Sequence, residues 1–202
     1  MKFSARKTIA STLYLDLTDS LLRSKAAELA KGTKGDAETA RRIYEYISRN
    51  FDFQLGAVLF GNSREVLRSM RGDCSEAAVL TAALLRAAGI ESHVVLGYAT
   101  TGRGVFIGHA WSEAKIGDRW IGLDAALREF PAGAERVMLL RLGGSEDMRI
   151  TASNLMLNSL SNLRIEIKGA WIGKDSLPLE DQTGNSAEAT EFFKEILRGI
   201  EK

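Results

Sequence analysis

The chain has 202 residues and a mass of 22.1 kDa, the size of one domain or of one domain with a modest appendage. Hydrophobic and charged fractions of 45% and 26% exclude a disordered chain, and a net charge of +1 excludes a strong global attraction to nucleic acid or acidic lipid. The single cysteine cannot form an internal disulfide, so the hydrophobic core has to hold the fold together.

The amino terminus resembles a secretory signal only in its first residues. Lys2, Arg6 and Lys7 make a basic start, but Asp16 and Asp19 interrupt the chain before a long apolar segment or a cleavage site develops. No run of residues approaches the roughly 18 apolar positions that a membrane span needs. We therefore expect a cytoplasmic protein whose partners include neither a membrane nor nucleic acid.

Helical periodicity dominates the first half of the chain. The predicted helices are residues 19–31, 36–50, 63–70 and 74–88. Asp19 and Asp36 are the expected caps of the first two helices, and Gly89 ends the fourth. This fourth helix has almost no polar face, which predicts that it is buried at the centre of the domain.

After Gly89 the apolar residues alternate with a period of two, which is typical of strands. The predicted strands are residues 94–98, 105–115, 119–124, 137–142, 149–152 and 163–167. A polar stretch, 175–185, is the best linker candidate, and 188–200 is predicted to be a closing amphipathic helix. The order predicts an α+β fold, divided into an N-terminal helical segment (1–35), a core (36–130) and a β-rich extension (131–202).

Cys74 follows Asp73, the expected cap of the buried helix, and so lies in the first turn of that helix. The positive end of the helix dipole favours a thiolate at this position. The alternative is that Cys74 is a small buried hydrophobic residue, as most free cysteines are. Its place in the first turn, instead of the helix interior, favours a reactive thiol.

A hairpin in the second half brings an imidazole close to a carboxylate. With Gly117 and Asp118 as a two-residue loop, Trp111 pairs with Asp124, and His109 lies on the same face, diagonal to Asp124. Diagonal Cα atoms are roughly 7–8 Å apart, which two polar side chains can bridge. Such a pair orients a catalytic base, although Asp124 has the alternative of being an ordinary residue at a strand end.

The sequence gives less support to a catalytic role for His93 or to a metal site. His93 has no acidic neighbour that the same argument places beside it, so a structural role is expected. One cysteine and two histidines at these separations give none of the short paired spacings typical of zinc ligands, and we expect no metal or other cofactor.

Two segments, RGDCSEAAVLTAALLRAAGI from residue 71 and GHAWSEAKIGDRWIGLD from residue 108, together resemble the core of the transglutaminase-like superfamily. The resemblance extends from about Asp36 to Ala126. It implies a papain-like fold in which helices, including a central cysteine-bearing helix, pack on an antiparallel sheet. It also implies Cys74 as nucleophile, His109 as general base and acid, and Asp124 as the residue that orients the histidine.

Further site residues follow from the same resemblance. Trp111 and Trp120 match the aromatic positions that flank the family's site. Family members also supply an oxyanion donor from upstream of the cysteine, for which Gln54 is the first candidate and Asn62 the second. Neither lies in a closely matching motif, and Gln54 has the alternative of being a solvated loop residue.

The resemblance predicts a thiol enzyme that acts on amide bonds of the peptide or glutamine type through an acyl-enzyme. Release of the acyl group to water makes it a cysteine protease or amidase, and release to an amine makes it a transglutaminase. Hydrolysis is favoured because no calcium-binding loop is evident and because single-domain relatives resemble hydrolases more often. The rival is a binding module that retains the fold without catalysis. The expected partner is a peptide or protein substrate.

Overall fold

The computed structural model describes residues 11–54, 60–100, 106–144, 147–162, 170–172 and 175–177. In chain order its elements are α1 (Ser20–Ala30), α2 (Asp36–Asn50), β1 (Asp52–Phe53), α3 (Ser63–Ser69), β2 (Arg71–Gly72), α4 (Cys74–Ala87), β3 (Ser92–Thr100), β4 (Phe106–Ile116), β5 (Arg119–Leu123), β6 (Arg136–Leu142), α5 (Met148–Asn162), β7 (Ala170–Ile172) and β8 (Asp175–Leu177). The predicted α+β class, with helices on an antiparallel sheet, is confirmed. No helix in these ranges is long and apolar enough to cross a bilayer.

The main sheet has four antiparallel strands in the order β5-β4-β3-β6. Strand β6 pairs with β3 on the side away from β4, and the register between β3 and β6 shifts between Leu96 and Gly97. The sheet therefore takes a strand from beyond residue 130, the predicted end of the core. The domain boundaries themselves stay a prediction.

Helix α4 forms the centre of the core. All of its residues from Ser75 to Arg86 are buried, and it packs against β3 and β4 as well as against α1, α2 and α3. Two hydroxyls of the sheet also bond to its backbone: Ser112 donates to the carbonyl of Ala78, and Ser92 to that of Ala82, each at 2.8 Å. These contacts fix the position of α4 relative to the sheet.

The helix starts agree with the sequence patterns with one correction. Asp19 caps α1, where its side chain accepts from the backbone N–H of Leu22. Asp36 is the first residue of α2 and not its cap, because Gly35 occupies the cap position. The predicted bounds of this helix, 36–50, are otherwise those observed.

The region after β6 differs most from expectation. The strand predicted at 149–152 is wrong, because these residues lie in helix α5. Asp147 starts this helix: its Oδ1 accepts from the backbone N–H groups of Arg149 and Ile150 at 3.1 and 3.2 Å, which is an N-cap arrangement. The first three residues of the predicted linker form β8. The strand predicted at 163–167, the helix at 188–200 and the rest of the linker lie outside the described residues.

Candidate active site

The local sequence explains why α4 begins at Cys74. Asp73 accepts from the backbone N–H of Ser75 at 2.8 Å, and Glu76 accepts from that of Asp73 at 3.0 Å, which together form a capping box. Gly72 has a φ of 150°, and a side chain there would overlap Glu76, so the position requires glycine. The half-buried Cys74 is thereby held in the first turn, where the helix dipole favours a negatively charged sulfur.

The β4–β5 hairpin has the predicted register, with Ser112 opposite Leu123. Asp124 follows β5 directly and lies beside His109, as the diagonal relation indicates. The distance between His109 Nε2 and Asp124 Oδ2 is 2.7 Å, and both side chains are almost fully buried, with 4% and 1% exposed. A hydrogen bond this short between buried groups fixes the orientation of the imidazole ring.

Cys74 lies on the other side of the His109 ring, so the imidazole lies between a thiol and a carboxylate. Burial alone would lower the pKa of His109, but the negative charges of Cys74 and then Asp124 outweigh it and raise this pKa to about 10. Because Nε2 bonds to Asp124, Nδ1 is the ring nitrogen left for the sulfur. At neutral pH this geometry favours the imidazolium form of His109.

A buried arginine, which no local pattern in the sequence indicates, holds the Asp124 carboxylate. Arg136, on β6, donates to Asp124 Oδ2 from Nη2 at 2.7 Å and from Nε at 3.1 Å, and its Nη1 donates to Glu129 at 2.7 Å. Asp124 Oδ1 accepts from the backbone N–H of Leu127 at 3.0 Å. Burial raises the pKa of Asp124, but His109, the Leu127 N–H and Arg136 together lower it by more. The net pKa is therefore below its ordinary value, and the carboxylate is ionised.

A cleft of about 180 Å³ opens beside the thiol and the imidazole. The described residues that line it are Phe60, Asp73, Cys74, Ser75, Leu96, Gly97, Tyr98, Gly108, His109, Ala110, Leu139, Ala152 and Leu155. Most of these side chains are apolar, and they come from the sheet, from α4 and from α5. The cleft gives a bound molecule access to the sulfur of Cys74.

Neither predicted tryptophan lines the cleft, and of the two only Trp111 lies beside His109. Trp111 is buried, and its ring stacks near that of His109 with centroids 6.2 Å apart. Trp120 packs instead against His93, with centroids 4.7 Å apart, and the guanidinium of Arg141 lies over its ring. Burial lowers the pKa of His93, which keeps this second histidine neutral at pH 7.

The arrangement gives no support to either predicted oxyanion donor. Gln54 is exposed, its side-chain amide donates to Asp52 at 2.6 Å, and it lines a different surface pocket. Asn62 caps α3, where its side-chain oxygen accepts from the backbone N–H groups of Arg64 and Glu65. The backbone N–H of Cys74, in the first turn of α4, is the donor that the fold places at the sulfur.

The chemistry of the cleft is that of a thiol next to an oriented base. Among the described residues, no three histidine, cysteine, aspartate or glutamate side chains lie close enough together to hold a metal ion. The thiol can transfer its proton to the imidazole, and the resulting thiolate can attack a carbonyl carbon that enters the cleft.

Comparison with known proteins matches the chain to one family and to several solved structures. The model of the transglutaminase-like superfamily matches residues 23–125, just over half of the chain. A protein from Cytophaga hutchinsonii, described as a candidate cysteine protease, is 21% identical with a TM-score of 0.59 over 72% of this chain and 49% of that one. At this identity the match shows a shared fold, and the chain spans about half the length of that protein.

Two further structures have lower TM-scores. The periplasmic domain of TgpA from Pseudomonas aeruginosa is 23% identical, with a TM-score of 0.44 over 54% of this chain and 43% of that domain. LapG from Legionella pneumophila is 12% identical, with a TM-score of 0.43 over 95% of this chain and 100% of that one. No curated protein matches the chain.

Proposed function

The chain belongs to the transglutaminase-like superfamily, and on that premise we propose that it is a thiol enzyme that acts on amide bonds through Cys74, His109 and Asp124. The observation that carries the proposal is the line of contacts from the Cys74 thiol through the His109 ring to the Asp124 carboxylate. A scaffold or binding module has no physical need for a buried, charged imidazole between these two groups. A nucleophile that has to be ionised near neutral pH does need one.

The reaction begins with transfer of the Cys74 proton to His109. The thiolate attacks the carbonyl carbon of the amide, a C–S bond forms, and the oxygen that becomes negative accepts a hydrogen bond from the backbone N–H of Cys74. The C–N bond then breaks as His109 returns its proton to the departing nitrogen, which leaves an acyl-enzyme. Asp124 remains ionised throughout and keeps the ring in the orientation that both proton transfers require.

Water then attacks the acyl carbon while His109 accepts its proton, and the C–S bond breaks to release the carboxylic acid and the Cys74 thiolate. We propose hydrolysis as the activity, which makes the protein a cysteine protease or amidase. A primary amine that attacks in place of water would give a transglutaminase, and the chemistry of Cys74 and His109 would be the same.

The test is incubation of the protein with a complex peptide mixture, with and without a primary amine such as cadaverine, followed by mass spectrometry. New peptide ends or deamidated glutamines that Cys74→Ala does not produce support hydrolysis. Amine-labelled glutamines support acyl transfer instead. The absence of all three products, together with an unreactive Cys74 towards iodoacetamide in the native protein, would contradict enzymatic function and favour the binding module.

A further inference from the structure

The cleft beside the thiol is apolar over most of its wall. Phe60, Leu96 and Leu139 line it from three separate parts of the chain, and α5 adds Ala152 and Leu155. Apolar walls of this kind bind apolar groups, because the bound group and the wall both leave water.

The one positively charged group that lines the described part of the cleft is already paired, because His109 is held between Cys74 and Asp124. Asp73 is the one carboxylate among the described lining residues, and its Oδ1 accepts from the backbone N–H and the hydroxyl of Ser75 at 2.8 and 2.6 Å. An acidic side chain bound in this cleft would lose its water without gaining a free positive partner and would lie near the Asp73 carboxylate, which is strongly unfavourable.

A bulge in β6 directs one side chain into the cleft. Met138 pairs with Gly97 and Leu140 pairs with Leu96, so Leu139 is an extra residue between two neighbouring pairs. Met138 and Leu140 are exposed, whereas Leu139 is half-buried and lines the cavity. Bulges commonly reorient a side chain in this way next to a functional site.

Gly97 allows this arrangement. A side chain at this position would overlap the carbonyl oxygen of Val137, so glycine lets β6 come close to β3 just where the register shifts. The position of Leu139 therefore depends on a specific backbone contact and not on general apolar packing.

We propose that this cleft is the pocket that selects the substrate by an uncharged, apolar side chain next to the amide bond attacked, and that Leu139 sets this selectivity. The inference rests on the proposed function, since it concerns the substrate of the same thiol. The substrate class is thus a peptide amide flanked by a residue such as leucine or phenylalanine, not by aspartate or glutamate.

The experiment measures alkylation of Cys74 by a series of N-acetyl-aminoacyl chloromethyl ketones, followed by the intact mass of the protein. The sulfur displaces chloride from the reagent, and the side chain is leucine, phenylalanine, alanine, aspartate or lysine. Each rate is divided by the rate of the same reagent with glutathione, and iodoacetamide serves as a reference that carries no side chain. We expect the leucine and phenylalanine reagents to react at least tenfold faster than the aspartate reagent.

Two variants of one strand separate the pocket from a general effect of charge. Leu139→Asp should slow the leucine and phenylalanine reagents at least tenfold and accelerate the lysine reagent, with little change for iodoacetamide. Leu140→Asp places the same charge on the adjacent, exposed residue and should leave all rates within about twofold. Ala152→Leu, which adds volume and no charge, should slow the phenylalanine reagent more than the alanine reagent.

Different results overturn different claims. Equal normalised rates for the apolar and aspartate reagents in the parent, or equal effects of Leu139→Asp and Leu140→Asp, would refute the pocket while leaving the thiol enzyme intact. If Leu139→Asp does not fold, an unchanged reagent preference in Ala152→Leu would refute it. If iodoacetamide itself fails to react with native Cys74, the proposed function fails and the pocket proposal with it.

Discussion

Replacement of Asp124 by asparagine is expected to destabilise the protein, because the carboxylate faces only donors. Oδ2 accepts from His109 and from Arg136, both at 2.7 Å, and Oδ1 accepts from the Leu127 N–H at 3.0 Å. An asparagine amide offers one oxygen and one NH₂ group in the same two places. Either orientation therefore points an N–H at another N–H, and neither provides the negative charge.

The favourable orientation keeps the amide oxygen towards His109 and Arg136 and turns the NH₂ group towards Leu127. Leaving the buried Leu127 N–H without an acceptor costs about 1–3 kcal/mol, and breaking a buried ion pair by removing one partner costs about 3–5 kcal/mol. These costs overlap, so we expect Asp124→Asn to lower the free energy of unfolding by about 3–5 kcal/mol at pH 7. The Asp124 and Arg136 side chains are only 1% and 4% exposed, so solvent screens this pair little.

The loss of stability caused by Asp124→Asn should decrease as the pH falls. The pKa of Asp124 is lowered in the folded protein, so its stabilisation is present above the unfolded value of about 3.9 and is lost as pH falls through the folded value. The difference between the parent and Asp124→Asn should therefore shrink towards acid. Removal of the carboxylate also lowers the pKa of His109, which should slow alkylation of Cys74 near pH 6–7.

Urea unfolding at pH 7 and near pH 3 measures this difference. Asp118→Asn is the matched control, since it makes the same change in the exposed turn of the same hairpin and should stay within about 0.5 kcal/mol of the parent. A loss below about 1 kcal/mol for Asp124→Asn at pH 7, or a loss equal to that of the control, would refute the arrangement of donors around Asp124.

Three further outcomes follow from the same geometry. Histidine side-chain NMR at pH 8 should show His109 as an imidazolium and His93 as a neutral ring, and two neutral rings would contradict the charged pair. Cys74→Ala should lower the pKa of His109, because it removes the charge that raises this pKa most, and an unchanged titration would exclude the contact. Gly97→Ala should destabilise by about 2 kcal/mol or more because its Cβ overlaps the β6 backbone, whereas Gly133→Ala, which has room, should not; equal losses on urea unfolding would refute the tight contact.

Local patterns were sufficient to predict the elements that carry the thiol and the imidazole. Asp73 before an apolar helix predicts the start of α4, and the Gly117-Asp118 turn predicts a register in which His109 meets Asp124. Both inferences use contacts between residues that are close in sequence, where the geometry of a helix cap or a tight turn leaves few alternatives.

Local patterns do not indicate which strands pair when they are far apart in the sequence. The pattern at 137–142 predicts a strand, but nothing in it reveals that this strand joins β3, at the opposite edge of the sheet from β5. The partnership of Arg136 with Asp124 and the bulge at Leu139 both depend on that placement. The β-branched residues of 149–152 suggested a strand, and the cap at Asp147 is the signal that could have indicated α5.

The arginine on Asp124 also bears on how the charge of the site is balanced. Arg136 and His109 share one carboxylate oxygen, so the single negative charge of Asp124 lies against two positively charged groups. The charges of Cys74 and Asp124 both raise the pKa of His109, so the imidazolium is stabilised from both sides of its ring. Arg136 keeps the Asp124 carboxylate in place, and the carboxylate in turn keeps the ring oriented. Strand β6 thus contributes to both sides of the site, since Arg136 holds the orienting carboxylate and Leu139, three residues later, lines the cleft.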